Sequence, residues 1–490
     1  MKLIFSLLLI AASAMAQIRT VTLPGKSPLV TLRLVFTTGS SADPAGKPGV
    51  AYLTARMLSE GGTKDLTYPQ IVNAMYPMAT SLNSQVDKQM TTFSGTTHID
   101  NLDEYYKLFR SMLLEPGWRE DDYKRVKDDA INYLRVSLRG NNDEELGKEV
   151  LYETIYAGTP FGPYSVGSVS SLEQITLNDL KEFYRSQYSQ SNLILGVAGG
   201  YSPAFLEAVK KDFRKLPEGA GFRPREKNPA IVTANRAVIV EKDARSVAYS
   251  IGFPISVTRA SPDYPALLLA SSYLGQHRMS GGVLYEEIRE KRGMNYGDYS
   301  YIEYFPHGMF QFEPNPNLAR QSQIFQIWIR PVEPANAVFA LRMALYQLDK
   351  LVKDGISQEA FERTRSFLSK YVNVLTRTKE AELGYAIDSL FYGKPPYNEY
   401  LKSALAKLKR EDVNAAIRRH LNRPGQLTIV AVANNAETLK NQLASGDPSP
   451  ITYNSPKPEA VTELDKTVQK FPLNLNADHI QIVPVDKVFQ

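Results

Sequence analysis

The stretch Val30-Thr-Leu-Arg-Leu-Val-Phe36, followed by Gly49-Val-Ala-Tyr-Leu-Thr-Ala-Arg-Met-Leu-Ser-Glu-Gly-Gly-Thr63, sets the architecture of the chain. The first run is short, apolar and β-branched, and reads as a strand. The second reads as a helix from Gly49 to Glu60, stopped by Gly61-Gly62. Outward from this pair, the Thr- and Ser-rich run Gln89 to Thr97 is a further strand. Helical stretches follow at Asp103 to Leu114, Asp121 to Leu138, Glu145 to Ala157 and Leu177 to Gln187, the last opened by Thr176 and Asp179 at capping-box spacing. Asn192-Leu-Ile-Leu-Gly-Val-Ala198 closes this first unit as a buried strand.

Between Pro217 and Pro229 the sequence turns rich in Gly, Pro, Lys and Arg and loses apolar periodicity, which places a linker at 217–235. The order of elements then recurs. A strand is predicted at Ser246 to Phe253, a helix at Ser261 to Leu274, strands near Tyr296 to Phe312 and Ile324 to Ile329, and long helices through Asn336 to Leu375. Leu427-Thr-Ile-Val-Ala-Val-Ala433 mirrors the first closing strand. Each closing strand follows a helix with a similar lead-in, Ser171 to Leu180 in one half and Ala404 to Val413 in the other. The chain is therefore a diverged tandem repeat of two α+β domains, 17–216 and 236–446, each an antiparallel-rich sheet covered by helices. From Asp447 a Pro-rich segment runs to the β-rich Ile480-Gln-Ile-Val-Pro-Val485, and 447–490 is predicted to be an extended tail packed on a neighbouring surface.

Lys2, the apolar run Leu3 to Ala12 and the small-residue end Ser13-Ala14-Met15-Ala16 have the form of a signal peptide, residues 1–16, with the mature chain beginning at Gln17. The run is short of the roughly 20 apolar residues a membrane span needs, and no later run approaches that length, so no span is expected after cleavage. The unlipidated signal points to an exported protein of the periplasm. Cysteine is absent from all 490 residues, which removes cysteine nucleophiles and thiolate metal sites and leaves core burial to hold the exported fold. A formal charge of +5 is small for this length and no Lys/Arg block accompanies it, which argues against nucleic acid as a partner.

With Phe36-Thr-Thr-Gly-Ser-Ser leading into the Gly49 helix, the first half resembles the active-site strand and helix of the insulinase/pitrilysin family of metallopeptidases, which includes mitochondrial processing peptidase. Similar matches in the same order are Pro160-Phe-Gly-Pro-Tyr-Ser-Val-Gly-Ser-Val-Ser-Ser-Leu, the Asn192 strand, and Leu284-Tyr-Glu-Glu-Ile-Arg-Glu-Lys-Arg-Gly-Met-Asn-Tyr296. The resemblance implies the processing-peptidase type of α+β domain in both halves.

Enzymes of this family carry H-x-x-E-H on the first helix, where residues at i, i+3 and i+4 share one face. Two imidazoles then bind zinc and the glutamate activates water. Here those positions hold Tyr52, Ala55 and Arg56. A phenol is a poor zinc ligand at neutral pH, a guanidinium repels the metal, and alanine has no base. The third family ligand, a glutamate on a later helix, corresponds to a region around Arg125 to Asn132, with Asp129 and Asn132 both open as its counterpart and Asp128 and Asp129 read as a solvated helix face. No metal is expected on this chain. The five histidines, His98, His277, His307, His420 and His479, include no pair within a helical turn, and Asp100-Asn-Leu-Asp103 beside His98 has the form of a helix start. A G-x-S-x-G nucleophile elbow is lacking.

Family enzymes also use an arginine and a tyrosine of the C-terminal domain to hold the substrate backbone and polarise the scissile carbonyl. The resemblance puts Arg289 and Tyr296 in those roles, an oxyanion-stabilising donor pair. A chain that lacks the zinc half and keeps the carbonyl-binding half is expected to be an exported non-catalytic subunit. It would supply Arg289 and Tyr296 in trans to a homologous zinc-bearing subunit in a heterodimer that hydrolyses a peptide substrate. The alternative is a binding or scaffold protein of the same fold with no role in catalysis.

Overall fold

The computed structural model describes residues 18–219, 221 and 228–490. The signal-peptide reading and the centre of the expected linker, 220 and 222–227, lie outside the described residues. The first sheet holds β1 (Arg19–Pro24), β2 (Leu29–Phe36), β3 (Asn83–Val86), β4 (Thr91–His98) and β5 (Leu193–Gly199), in the spatial order β1-β5-β2-β4-β3. The second holds β6 (Arg236–Glu241), β7 (Val247–Ile255), β8 (Gly297–Tyr301), β9 (Gln323–Val332), β10 (Thr428–Ala433) and β11 (Ile480–Pro484), in the order β11-β6-β10-β7-β9-β8. Setting β11 aside, the two orders are the same, position for position. Apart from β11, each half has one parallel pair, β1 with β5 and β6 with β10, and its remaining pairs are antiparallel. The tandem α+β repeat predicted from the sequence is thus the observed architecture.

Strand β2 is buried along both faces, so its side chains divide between two cores. Val30, Leu32, Leu34 and Phe36 join the main core of the first half. Val35 points the other way, with Ile194 and Ala198, into a smaller cluster completed by Leu383 and Ile387. These last two come from the helix Lys379–Phe391, which belongs to the second half but packs on β1, β2 and β5. The reciprocal helix, Asp143–Ile155 of the first half, packs on β7 and β10. Each sheet is covered on one face by a helix of the other half, so the halves share their apolar burial.

The predicted strand from Tyr296 to Phe312 ends early, at Tyr301. Pro306, Pro314 and Pro316 lack the N–H a sheet ladder needs, and the chain through residue 322 instead crosses to the first half. There Gln85 donates to the Pro316 carbonyl at 3.1 Å, and Arg33 donates to the Asn317 side chain at 2.8 Å. The segment after Asp447 differs from the extended tail predicted for it. It forms a helix over Glu459–Val468 and then β11, which adds in parallel to β6. No helix among the described residues is long and apolar enough to cross a membrane.

Candidate carbonyl-binding pair and degenerate zinc helix

The helix Val50–Glu60 starts at Gly49, whose φ of +104° suits glycine, and a Cβ there would meet the Val166 carbonyl oxygen at 2.6 Å. The Asp43 carboxylate accepts the Gly49 and Ala51 N–H groups, both at 2.7 Å, and so fixes the helix start. Val50, Leu53, Leu58 and Ala55 are buried, while Tyr52 and Arg56 lie partly buried one turn apart. The neighbouring helix is Glu120–Asn132.

Arg56 forms an ion pair with Glu60 at 2.6 Å, and its guanidinium stands 5.8 Å from the centre of the Tyr52 ring. Burial raises the Tyr52 phenol above its ordinary value, against the pull of Arg56, so no phenolate is available as a ligand at neutral pH. Arg125 reaches over from the second helix to donate to the Glu60 carbonyl, lies 4.9 Å from the Tyr68 ring, and pairs with Asp122 at 3.1 Å and Asp129 at 4.0 Å. Asp128, Asp129 and Asn132 are exposed on their helix, as the solvated-face reading has it. A neutral phenol, Tyr52, and a guanidinium, Arg56, therefore stand where the family motif has imidazoles, with the Arg125 guanidinium close by, and these residues do not fit zinc. Among the described residues no group of three or more His, Cys, Asp or Glu side chains is placed to hold a metal ion. His98 accepts the Asp100 N–H at 3.3 Å and caps the short turn before the helix Leu102–Leu114, a structural use of that cluster.

Arg289 and Tyr296 are brought together. The helical turn Tyr285–Glu290 has π-type hydrogen bonding, Gly293 reverses the chain at φ +69°, and Tyr296 immediately precedes β8. The Arg289 guanidinium lies 4.9 Å from the Tyr285 ring and 5.2 Å from the Tyr296 ring, and its Nη1 donates to the Tyr296 carbonyl at 3.4 Å. Tyr296 is 72 % exposed, an unusual setting for a tyrosine without a partner surface. Behind the pair, the buried Asp298 carboxyl receives the Asn295 side-chain amide, and burial pushes it up to about 8 despite the nearby Arg289. The turn is braced from below by Arg292, whose Nε donates to Asp465 at 2.8 Å and whose Nη1 donates to Glu287 at 2.9 Å. Asp465 sits on the helix Glu459–Val468 and also accepts the Tyr453 hydroxyl at 2.6 Å. Nothing in the local sequence pattern marked Asp465, because its role depends on a contact across 173 positions of chain. Among the described residues, no hydrogen bond, ion pair or aromatic contact joins Arg289 or Tyr296 to Tyr52, Ala55 or Arg56.

Two family models match the chain. The insulinase (peptidase family M16) model matches residues 20–164, and the peptidase M16 inactive domain model matches residues 174–368. The chain belongs to the insulinase, or M16, peptidase family. A relative from Helicobacter pylori described as non-peptidase homolog YmxG is 22% identical over 420 residues, covering 83% of this chain and 89% of its own. The peptidase M16 inactive domain structure from Pseudomonas fluorescens superimposes with a TM-score of 0.75 at 24% identity, covering 86% of this chain and 96% of that one. The periplasmic protease PqqL from Escherichia coli gives a TM-score of 0.64 at 16% identity, and there 93% of this chain covers 49% of a longer one.

Proposed function

We propose that this chain is an exported, non-catalytic subunit of an M16-type peptidase, which pairs with a homologous zinc-bearing subunit and presents Arg289 and Tyr296 to the peptide substrate. The observation that carries the reading is the contrast between the two halves. The first helix has Tyr52, Ala55 and Arg56 where metal ligands and base belong, while Arg289 and Tyr296 stand in contact, with the tyrosine exposed to an incoming chain. The zinc and its activated water belong to the partner. This chain contributes a fixed cation and a phenolic donor to the scissile carbonyl as negative charge develops there. The non-peptidase description of the H. pylori relative supports the loss of independent activity. The signal-like N-terminus and the periplasmic neighbour PqqL support export to the periplasm.

Native mass spectrometry of the mature protein, isolated under mild conditions from its own host, tests this by recording partner mass and metal together. A complex with a second chain of similar size carrying zinc is the expected result. A metal-free monomer or homodimer favours the scaffold reading, and zinc on this chain alone overturns the account of its first helix.

A further inference from the structure

We propose that Phe310 and Phe312 form a subsite for an apolar side chain of the peptide substrate, about three to five residues from the carbonyl that Arg289 and Tyr296 hold. The inference rests on the carbonyl-binding reading above and adds the class of side chain recognised and the residues that recognise it.

Phe310 and Phe312 are 72 % and 68 % exposed. Two phenyl groups left in water so close together carry a hydrophobic cost that a bound apolar group relieves. The loop that bears them is nonetheless fixed. Arg278 donates from Nη2 to the Gly308 carbonyl at 3.2 Å and to the Met309 carbonyl at 2.6 Å, and its guanidinium stands 4.5 Å from the centre of the Phe312 ring. The Gln311 carbonyl accepts from the His277 ring at 2.8 Å, and the Phe310 N–H donates to the His307 carbonyl at 2.9 Å. A platform held in this way gives up little conformational freedom when a chain binds to it.

Strand β8 connects the platform to the carbonyl-binding pair. Tyr299 lies three positions after Tyr296, roughly 10 Å along a strand. Its ring centre is 4.6 Å from that of His277, and the next residue, Arg278, carries the Phe312 ring. Burial raises the Tyr299 phenol, and the charges of Arg278 and Arg289 both pull against it, so the two guanidinium groups flank this one ring. The platform therefore stands roughly 10–15 Å from Tyr296, a span that about three to five extended residues cover.

The charges around the platform select the side chain. The carboxylate next in the chain, Glu313, is committed to Arg377. A lysine or arginine of the substrate would meet the like charge of Arg278 and find no free carboxylate there. An apolar side chain buries itself against the two phenyl groups, and an aromatic one adds ring-to-ring contact.

The test is fluorescence anisotropy of the mature chain titrated with fluorescein-labelled Gly/Ser peptides of about ten residues, long enough to span platform and pair. The peptides differ only at one central position, which is phenylalanine, serine or lysine, so any binding of the dye itself is common to all. The phenylalanine peptide should bind saturably and about tenfold or more tighter than the other two. Phe310→Ser with Phe312→Ser should abolish that preference. Both rings are exposed, so the exchange spares the core; should the double variant lose its circular dichroism spectrum, Phe310→Ser alone decides, with a loss of about threefold or more expected. Arg289→Ala with Tyr296→Phe should weaken all three peptides and leave their ranking intact. Absence of saturable binding by the phenylalanine peptide, or a preference undiminished in the folded Phe310 and Phe312 variants, overturns the subsite. A lysine peptide bound as tightly as the phenylalanine peptide overturns the apolar class. A preference that depends on Phe310 and Phe312 while no peptide responds to the Arg289 and Tyr296 changes overturns the carbonyl-binding reading instead, and with it the assignment of the platform to the substrate.

Discussion

Arg320 of the second half and Asp87 of the first form an ion pair joined by two hydrogen bonds, one of 2.7 Å from Nε, with each side chain 1 % exposed. The guanidinium also lies 3.6 Å from the centre of the Tyr304 ring and 5.0 Å from that of Tyr152. Burial pulls the Arg320 guanidinium down, but the charge and hydrogen bonds of Asp87, together with Tyr152 and Tyr304, outweigh it and hold Arg320 above its ordinary value. A buried pair of this kind adds little over a well-packed apolar pair, yet removing one partner strands a buried charge. Arg320→Met is expected to destabilise the chain by about 3–5 kcal/mol, and the double change Asp87→Leu with Arg320→Met to recover most of the loss. Urea unfolding midpoints of the three proteins check this.

Asp465 holds the turn that carries Arg289. Arg292, whose side chain is fully buried, has Asp465 and Glu287 as its only carboxylate partners among the described residues. Asp465→Ala should therefore free residues 285–296 to open more often while leaving the β2–β4 ladder unchanged. Hydrogen exchange read by mass spectrometry over the two segments separates this local effect from global unfolding.

His277 makes stability depend on pH. Burial lowers its value from 6.5 to about 4, so the folded protein binds this proton more weakly than the unfolded chain. The stabilisation is fully present above about pH 6.5 and is lost as pH falls toward 4, on the order of 3 kcal/mol in all. His277→Gln, measured between pH 7 and 4, should show a shallower acid decline than the unaltered chain.

Gly95 in β4 has no room for a side chain, because a Cβ would stand 1.8 Å from the Tyr105 hydroxyl and 2.3 Å from the Ser81 carbonyl oxygen. The tyrosine hydroxyl donates to that same carbonyl at 3.1 Å. Gly95→Ala is expected to cost about 1–3 kcal/mol through overpacking, and Gly95→Ala with Tyr105→Phe to cost less. Thermal unfolding of the single and double variants distinguishes them.

The elements legible in the sequence are those written in local periodicity. β2, the helix Val50–Glu60, the capping box at Thr176 and Asp179, and the closing strands β5 and β10 all occur where pattern and turn residues predict them. The repeat followed from their order. The parts not legible depend on long-range partners. Arg320 meets Asp87 across 233 positions, and the polar run around it resembles an ordinary loop until the other half is in place. The tail helix Glu459–Val468 was hidden for the same reason, since Asp465 gains its meaning from Arg292. At the site, the spacing of Arg289 and Tyr296 was visible through family resemblance, whereas their stacking and the π-type turn that permits it required the fold. The Arg56 to Glu60 pair lay open as an i,i+4 pattern, but only the structure put Arg125 at the Glu60 carbonyl.

The most direct test of the in-trans role is peptidase activity of the complex with its zinc-bearing partner, assembled with the unaltered chain or with Arg289→Ala and Tyr296→Phe together. If the pair binds the scissile carbonyl, kcat should fall about a hundredfold or more while the complex still assembles and the partner keeps its zinc. Activity undiminished by the double change would contradict any part for Arg289 and Tyr296 in catalysis and leave the chain a scaffold.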